Sequence, residues 1–349
     1  MSLDARSTAG VATASHAEPD LQSLHNIVLS NPRAGEDLVH LQATWPQLAF
    51  SVAHGEDWRT QVADAEAILL RYDLGIDEVL AHAPRLRWIH ALGAGVDRVL
   101  SQRLRDSGIL LTNSSGVHAT NIAEHILALA LSFARQLHVL GRAQARSEWL
   151  GPTGKGAYKP LPGVFELEGQ TLAVIGLGAI GQALARKAEA LGLHVLGVRR
   201  SKTGDKVSGA HEVFDASGLD AVLARADHVA ITLPLTAETQ GLFDAARIAR
   251  IKRGAYVYNI GRGPIIDSPA LLAALDSGHL AGAGLDVTDP EPLPPEATLW
   301  LHPKVIITAH TSGSTPHNGA RTLRIFSDNI GRALRGEPLH NVVDKQLGY

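Results

Sequence analysis

The sequence predicts an α/β protein of two doubly wound parallel-sheet domains, one inserted into the other. Three observations predict it: short apolar runs alternate with helical stretches, that alternation stops at a Gly/Pro-rich loop and restarts more regularly, and the restart carries a glycine-rich turn between a strand and a helix. At 349 residues the chain is long enough for about two domains with their own cores.

Residues 1–24 open with an Ala/Ser/Thr/Gly-rich stretch without apolar periodicity, which reads as a disordered leader. From His25 to Asn113 the runs HNIVLS, PQLAFSV, EAILL, RLRWIHAL and GILLTN read as strands of a small parallel unit. A long apolar-periodic helix is expected over roughly Asn121 to Leu137. The loop that follows holds Gly151, Pro152, Gly154, Gly156, Pro160, Pro162 and Gly163, and marks a boundary or an exposed excursion. Six further strands follow it: TLAVIG, HVLGVR, HVAITL, AYVYNI, AGAGLDV and KVIITA. Six is the complement of a complete dinucleotide-binding sheet. A last helix, NGARTLRIFSDNIGRALRG, has apolar residues three and four apart and is expected to return to the first domain. The expected division is therefore 25–118 plus 314–349 for the outer domain and 119–313 for the inserted one.

Composition removes several classes of function. With 32 basic against 35 acidic residues there is no field for a polyanion, so nucleic acid and membrane surfaces are not expected partners. No cysteine is present, which excludes disulfides, thiolate nucleophiles and cysteine-bound zinc. Without a membrane-length apolar run or a secretory signal, the expected location is the cytoplasm.

Gly176, Gly178 and Gly181 form G-L-G-A-I-G between a strand and an alanine-rich helix. Such glycines allow a tight turn, bare backbone against a pyrophosphate, and close helix–strand packing, with the helix N-terminus facing the phosphates. The next strand ends on Arg199, Arg200, Ser201 and Lys202 where an acid would hold the ribose 2′-hydroxyl of NAD. A guanidinium there suits a 2′-phosphate, so NADP(H) is favoured, with NAD(H) possible.

Ligands of open α/β sheets bind beyond the strands' carboxyl ends. Arg199, Pro234, Gly261 and Arg262, Asp286 and His310 all fall at that edge. Arg262 lies between two glycines, which would let backbone approach a ligand while the guanidinium grips a carboxylate. His310, on the turn HTSGST, can exchange a proton near neutral pH. A carboxylate in the loop DVTDPEPLP, Glu291 or Asp289, would orient it. His118, Glu124 and His125 match no zinc-helix spacing and read as a helix start, so no metal is expected. Leu92 to Asp97 (LGAGVD) offers backbone amides to an anion.

GLGAIG, LPLTAETQGLF, NIGRGPIID, GLDVTDPEPLP and TAHTSGST, in this order and spacing, resemble the D-isomer-specific 2-hydroxyacid dehydrogenase family from about His25 to the C-terminus. The resemblance implies a Rossmann dinucleotide-binding domain inserted into a flavodoxin-like substrate domain, with the active site between them and a homodimer built through the cofactor domain. It implies Arg262 as carboxylate binder together with the amides of Ala94 and Gly95. Glu291 becomes the partner of His310, the acid–base residue, and Asp286 a contact to the nicotinamide. The implied cofactor-contacting set is Gly176, Gly178, Ala179, Ile180, Gly181, Arg199, Arg200, Ser201, Leu233, Pro234, Thr239, Ile260, Gly261, Arg262, Asp286, His310 and Gly313.

The sequence departs from the family pattern at Arg199, which replaces the acid, at Thr288-Asp289, which replaces an aromatic–acid pair, and at Thr311, where an aliphatic residue is usual. The basic residues are similar to those of NADPH-using glyoxylate and hydroxypyruvate reductases, which implies reduction of a small 2-oxo acid. Two alternatives stand beside that expectation: a redox-sensing, corepressor-like binding protein, and oxidation of a non-carbon substrate such as phosphite.

Overall fold

Five parallel strands form the first sheet: β1 (Asn26–Leu29), β2 (Ala49–Val52), β3 (Ala67–Leu70), β4 (Trp88–Ala91) and β5 (Leu110–Asn113), in the order β2-β1-β3-β4-β5. The computed structural model describes residues 19–30, 34–70, 74–150, 163–200 and 206–348. The chain divides into two units; the first takes the described residues up to Ser114 and those from Leu323 onward, the second Ser115–Thr322. The sequence-drawn boundaries at 118/119 and 313/314 therefore fall elsewhere, four to nine residues away.

The central strands β1, β3 and β4 are near-continuous apolar runs because both faces of a parallel sheet are covered. Alternate residues feed different cores: Ile27 and Leu29 pack with Trp88, Phe326 and Ile330, whereas Val28 packs with Ile68, Ile89 and Leu111. Phe326, Ile330 and Ala333 lie on one face of the last helix, Asn318–Arg335, which fills this core as its spacing predicts. Part of the stretch expected to be a disordered leader is ordered. Leu21 and Leu24 are buried, and the Asp20 carboxylate accepts from the Gln22 amide and the Ser23 hydroxyl, so order begins before His25. Two leucines three residues apart are too brief a pattern to show in the sequence.

The second sheet is β6 (Thr171–Ile175), β7 (His194–Val198), β8 (Glu212–Phe214), β9 (His228–Ile231), β10 (Ala255–Asn259), β11 (Leu280–Leu285) and β12 (Val305–Ile307), all parallel, in the order β12-β11-β10-β9-β6-β7-β8. It has seven strands rather than six. The additional β8 is three half-buried residues at the sheet edge, too short and too weakly apolar for pattern recognition. The order reverses between β6 and β9, which puts the switch point beside the glycine turn. The helix expected over 121–137 runs Ala119–Ala134 and is followed by a further helix, Leu137–Ala145, the two being separated where Gln136 adopts a left-handed φ of 57°. Of the Gly/Pro loop only Gly163 is described; the rest lies outside the described residues, as do Ser201 and Lys202. No helix among the described residues is long and apolar enough to cross a membrane.

Candidate active site

The glycine turn after β6 shows the tight turn and the close helix–strand packing expected of it, with open space at its middle glycine. Gly176 has φ of +107°, which a residue with a side chain rarely adopts, and its carbonyl accepts from the Thr232 hydroxyl at 2.7 Å. A Cβ at Gly181 would run into the Gly176 carbonyl oxygen, so only glycine lets helix and strand pack this closely. A Cβ at Gly178 would meet nothing within 4 Å. That opening lies at the start of the helix Ala179–Ala190, whose first-turn amides, including those of Ala179, Ile180 and Gly181, have no partner within the helix. The turn therefore fits a pyrophosphate. Thr232, which joins this turn to the next loop, carried no sequence signal beyond its place at the end of a strand. Leu233 and Pro234 follow it, and the Thr239 hydroxyl closes their loop by donating to the Pro234 carbonyl at 2.7 Å.

Arg199 follows β7 directly, with its amide held by the Phe214 carbonyl of β8 at 3.0 Å; it is half-buried and Arg200 is exposed. The unforeseen strand β8 thus fixes the residue expected to read the ribose.

The turn after β10 is built by buried Asn259. Its side-chain Oδ1 accepts from the Gly261 backbone amide at 3.1 Å and its Nδ2 donates to the Arg262 carbonyl at 3.0 Å, with Ile260 buried between. The reason for the two glycines differs from the expectation. A Cβ at Gly261 would strike the Leu233 carbonyl, and one at Gly263 would strike Thr288, so the glycines admit neighbouring loops. Arg262 is half-buried and its Nη1 donates to the Gly261 carbonyl at 2.8 Å.

His310 and Glu291 come together from turns after β12 and β11. Nδ1 of His310 lies 2.6 Å from Oε1 of Glu291, and both side chains are partly exposed, 43% and 36%. Of the two carboxylates left open by the sequence, Glu291 is the one that meets the histidine. With Nδ1 engaged, Nε2 is the ring nitrogen left for proton exchange. The loop leading to Glu291 is held by the Thr288 hydroxyl, which donates to the Pro290 carbonyl at 2.9 Å.

The turn that carries His310 is strained. Ala309 and His310 have φ of 46° and 56°, a left-handed conformation that costs roughly 1–2 kcal/mol per residue with a side chain. Asp286 holds it there. The Asp286 carbonyl accepts from the His310 amide at 2.6 Å, and Oδ1 accepts from the Thr308 hydroxyl at 2.6 Å and the amides of Thr311 at 2.9 Å and Ser312 at 3.2 Å. The Asp286 side chain is fully buried. The resemblance implies a nicotinamide contact for Asp286; in the structure its carboxylate holds the turn that bears His310. Thr311, a departure from the family pattern, closes the same turn by donating to the Thr308 carbonyl at 2.6 Å. Gly313 follows, its carbonyl held by Asn318 at 2.7 Å. The Asp286 amide donates to the Asn259 carbonyl at 3.0 Å, so the turns bearing Arg262, Glu291 and His310 are linked through one residue.

In the first unit, the segment after β4 is anchored on the end of β5. The Asn113 side chain donates to the Ala94 carbonyl at 2.6 Å, and the Ser114 amide to the Gly93 carbonyl at 3.1 Å.

A family model described as "D-isomer specific 2-hydroxyacid dehydrogenase, NAD binding domain" matches residues 127–312. The glyoxylate/hydroxypyruvate reductase B of Citrobacter koseri is 33% identical over 291 residues, 82% of this chain and 86% of that protein. The D-3-phosphoglycerate dehydrogenase of Mycobacterium tuberculosis is 33% identical over 284 residues, 81% of this chain but 52% of that protein, so the chain spans about half the length of such relatives. Among solved structures, the NADPH-dependent glyoxylate/hydroxypyruvate reductase of Sinorhizobium meliloti, in complex with NADP and sulfate, is similar with a TM-score of 0.76 and 30% identity, covering 93% of this chain and all of that one.

Proposed function

The chain belongs to the D-isomer-specific 2-hydroxyacid dehydrogenase family, and from that premise we propose that it reduces a small 2-oxo acid of the glyoxylate or hydroxypyruvate type, with NADPH preferred over NADH. The observation that carries this reading is the 2.6 Å pair of Glu291 and His310 at the carboxyl edge of the sheet whose first turn fits a pyrophosphate.

The glycine turn of Gly176, Gly178 and Gly181 would hold the dinucleotide, with Arg199 and Arg200 toward the ribose end. When bound, the nicotinamide supplies a hydride to C2 of the acid. Arg262 grips the substrate carboxylate through its guanidinium, and the amides of Ala94 and Gly95 are the other anion-holding groups of the proposal. His310 gives the proton on Nε2 to the carbonyl oxygen, so hydride and proton together convert the ketone to a hydroxyl. Glu291 on Nδ1 aims the ring. Asp286 keeps His310 in the left-handed turn that presents it. In the oxidative direction His310 takes the same proton back.

The preference for NADPH rests on the basic residues after β7, and the small substrate on the names of the relatives. A homodimer built through the second unit is part of the same reading. Exposed Leu131, Leu137 and Trp149, on or just beyond the helices Ala119–Ala134 and Leu137–Ala145, supply apolar surface for it. Sedimentation at equilibrium should give twice the 37.0 kDa chain mass, and a monomer would remove the dimer from the reading. The activity is tested by initial rates of NADPH and NADH oxidation with glyoxylate, hydroxypyruvate, pyruvate and phenylpyruvate. Turnover of the small acids with NADPH favoured is the expected result; cofactor binding without turnover of any acid would refute it.

A further inference from the structure

The segment HATNIAEH, which has no role in the proposed chemistry, reaches the acid–base turn from the helix Ala119–Ala134. Asn121 and His125 are four residues apart and so lie on one face of that helix. Asn121 Nδ2 donates to the Ser312 carbonyl at 2.8 Å, and His125 Nε2 is 2.9 Å from the Thr308 hydroxyl. Thr308 and Ser312 are the two ends of the segment that holds Ala309 and His310 left-handed. Arg321 Nη1 lies 3.4 Å from Asn121 Oδ1, which fixes the amide with its NH2 toward Ser312.

Proton counting sets the direction of the chain. Thr308 has one hydroxyl proton, and Asp286 Oδ1, 2.6 Å away, can only accept it. Thr308 Oγ1 must then accept from His125, which places the His125 proton on Nε2. The order is His125 N–H to Thr308 O–H to Asp286, whose carboxylate also accepts from the amides of Thr311 and Ser312. A helix residue is thereby coupled to a turn that local backbone preference opposes.

We infer that Asn121 and His125 form a two-point clamp on the turn 308–312, with His125 a positioning residue that keeps His310 in its working orientation. The inference rests on the proposed role of His310 for its kinetic consequence, but its structural consequence stands apart from that reading. Neither residue touches the substrate in this account, so loss of the clamp should lower kcat and spare cofactor binding.

The test compares the unmodified protein with His125→Leu, His125→Gln and Thr308→Val, using NADPH with glyoxylate and hydroxypyruvate. His125→Leu and Thr308→Val should each lower kcat about ten-fold, the scale of one lost buried hydrogen bond, with KM for NADPH changed less than about two-fold. The double variant should be no worse than either single one, because both break the same chain. Gln carries an N–H near the place of Nε2 and should recover most of the loss. Hydrogen exchange read by NMR provides an arm independent of activity: the Thr311 and Ser312 amides should exchange about ten-fold faster in both broken variants while the amides of β6 and β10 do not change. If no 2-oxo acid is turned over by the unmodified protein, the proposed function fails, and the exchange arm still decides the clamp. Unchanged kcat with unchanged exchange would overturn it, as would a kcat loss that Gln does not rescue and that accompanies faster exchange across the whole second unit. Should His125→Leu not fold, Thr308→Val against Thr308→Ser carries the same comparison.

Discussion

The turn after β6 and the turn after β12 solve opposite problems at the same edge of one sheet. The first presents backbone: Gly176 takes φ of +107° without hindrance, Gly181 removes a collision, and Gly178 leaves space in front of the helix amides. The second presents a side chain, so it cannot be glycine. Ala309 and His310 enter the left-handed region with their side chains, and hydrogen bonds to Asp286 offset the strain. A turn that offers amides to an anion encodes its geometry in its own residues, whereas a turn that offers a histidine draws it from residues distant in sequence.

The largest effect should come from emptying the second turn of its function. His310→Ala should reduce turnover by roughly 10² to 10⁴-fold while NADPH affinity, read by fluorescence titration, stays near that of the unmodified protein. The first turn should behave in reverse. Gly181→Ala places a methyl group against the Gly176 carbonyl and should cost about 1–3 kcal/mol of stability in urea unfolding, with cofactor affinity lost as well. Gly178→Ala has room for its methyl group and should keep the stability but weaken NADPH binding; tight binding by that variant would break the assignment of the turn to a pyrophosphate.

Asp286→Asn sharpens the contrast further. An amide in place of the carboxylate retains one acceptor but sets an N–H against donors, so kcat should fall about ten- to hundred-fold. If NADPH affinity is unchanged, Asp286 acts through the turn; if affinity falls in parallel, the nicotinamide contact implied by the resemblance is its main task. The smallest effect is expected at the ribose end, where Arg199→Glu should shift the ratio of kcat/KM for NADPH over NADH by about ten-fold toward NADH. No shift would leave Arg199 an ordinary solvated residue.

The difference between the turns also explains what the sequence disclosed. The strand–glycine–helix order was legible because glycines, β-runs and an alanine-rich helix are all local. So were the five strands of the first sheet and the core face of the last helix, each an apolar run or a three-and-four spacing. The strand β8 was not, since three half-buried edge residues carry little apolar signal. Among the site residues, His310 and Arg262 were marked by their place after strands. Asn259, Thr232 and Thr308 gave no such mark, because each works through a hydrogen bond to a residue that only the fold brings near. The glycines beside Arg262 are visible in the sequence, but the loops of Leu233 and Thr288 that require them are distant in sequence.

Histidines show the same limit. His90 and His228 are buried and burial pushes them down to about 3 and about 4, so both are neutral near pH 7; His90 binds Thr112 and Ser114, and His228 binds Tyr258 and Gln170. Residue type alone does not separate these core histidines, which lie within β4 and β9, from His310, which follows β12, is partly exposed and faces a carboxylate.

The central claim is that one sheet edge joins a dinucleotide cradle to an acid–base histidine. Its most direct test is the rate of NADPH oxidation with hydroxypyruvate by the unmodified protein and by His310→Ala, measured beside NADPH affinity. The expected result is turnover by the first, loss of roughly 10² to 10⁴-fold in the second, and equal affinity in both. Equal rates from the two proteins would contradict it.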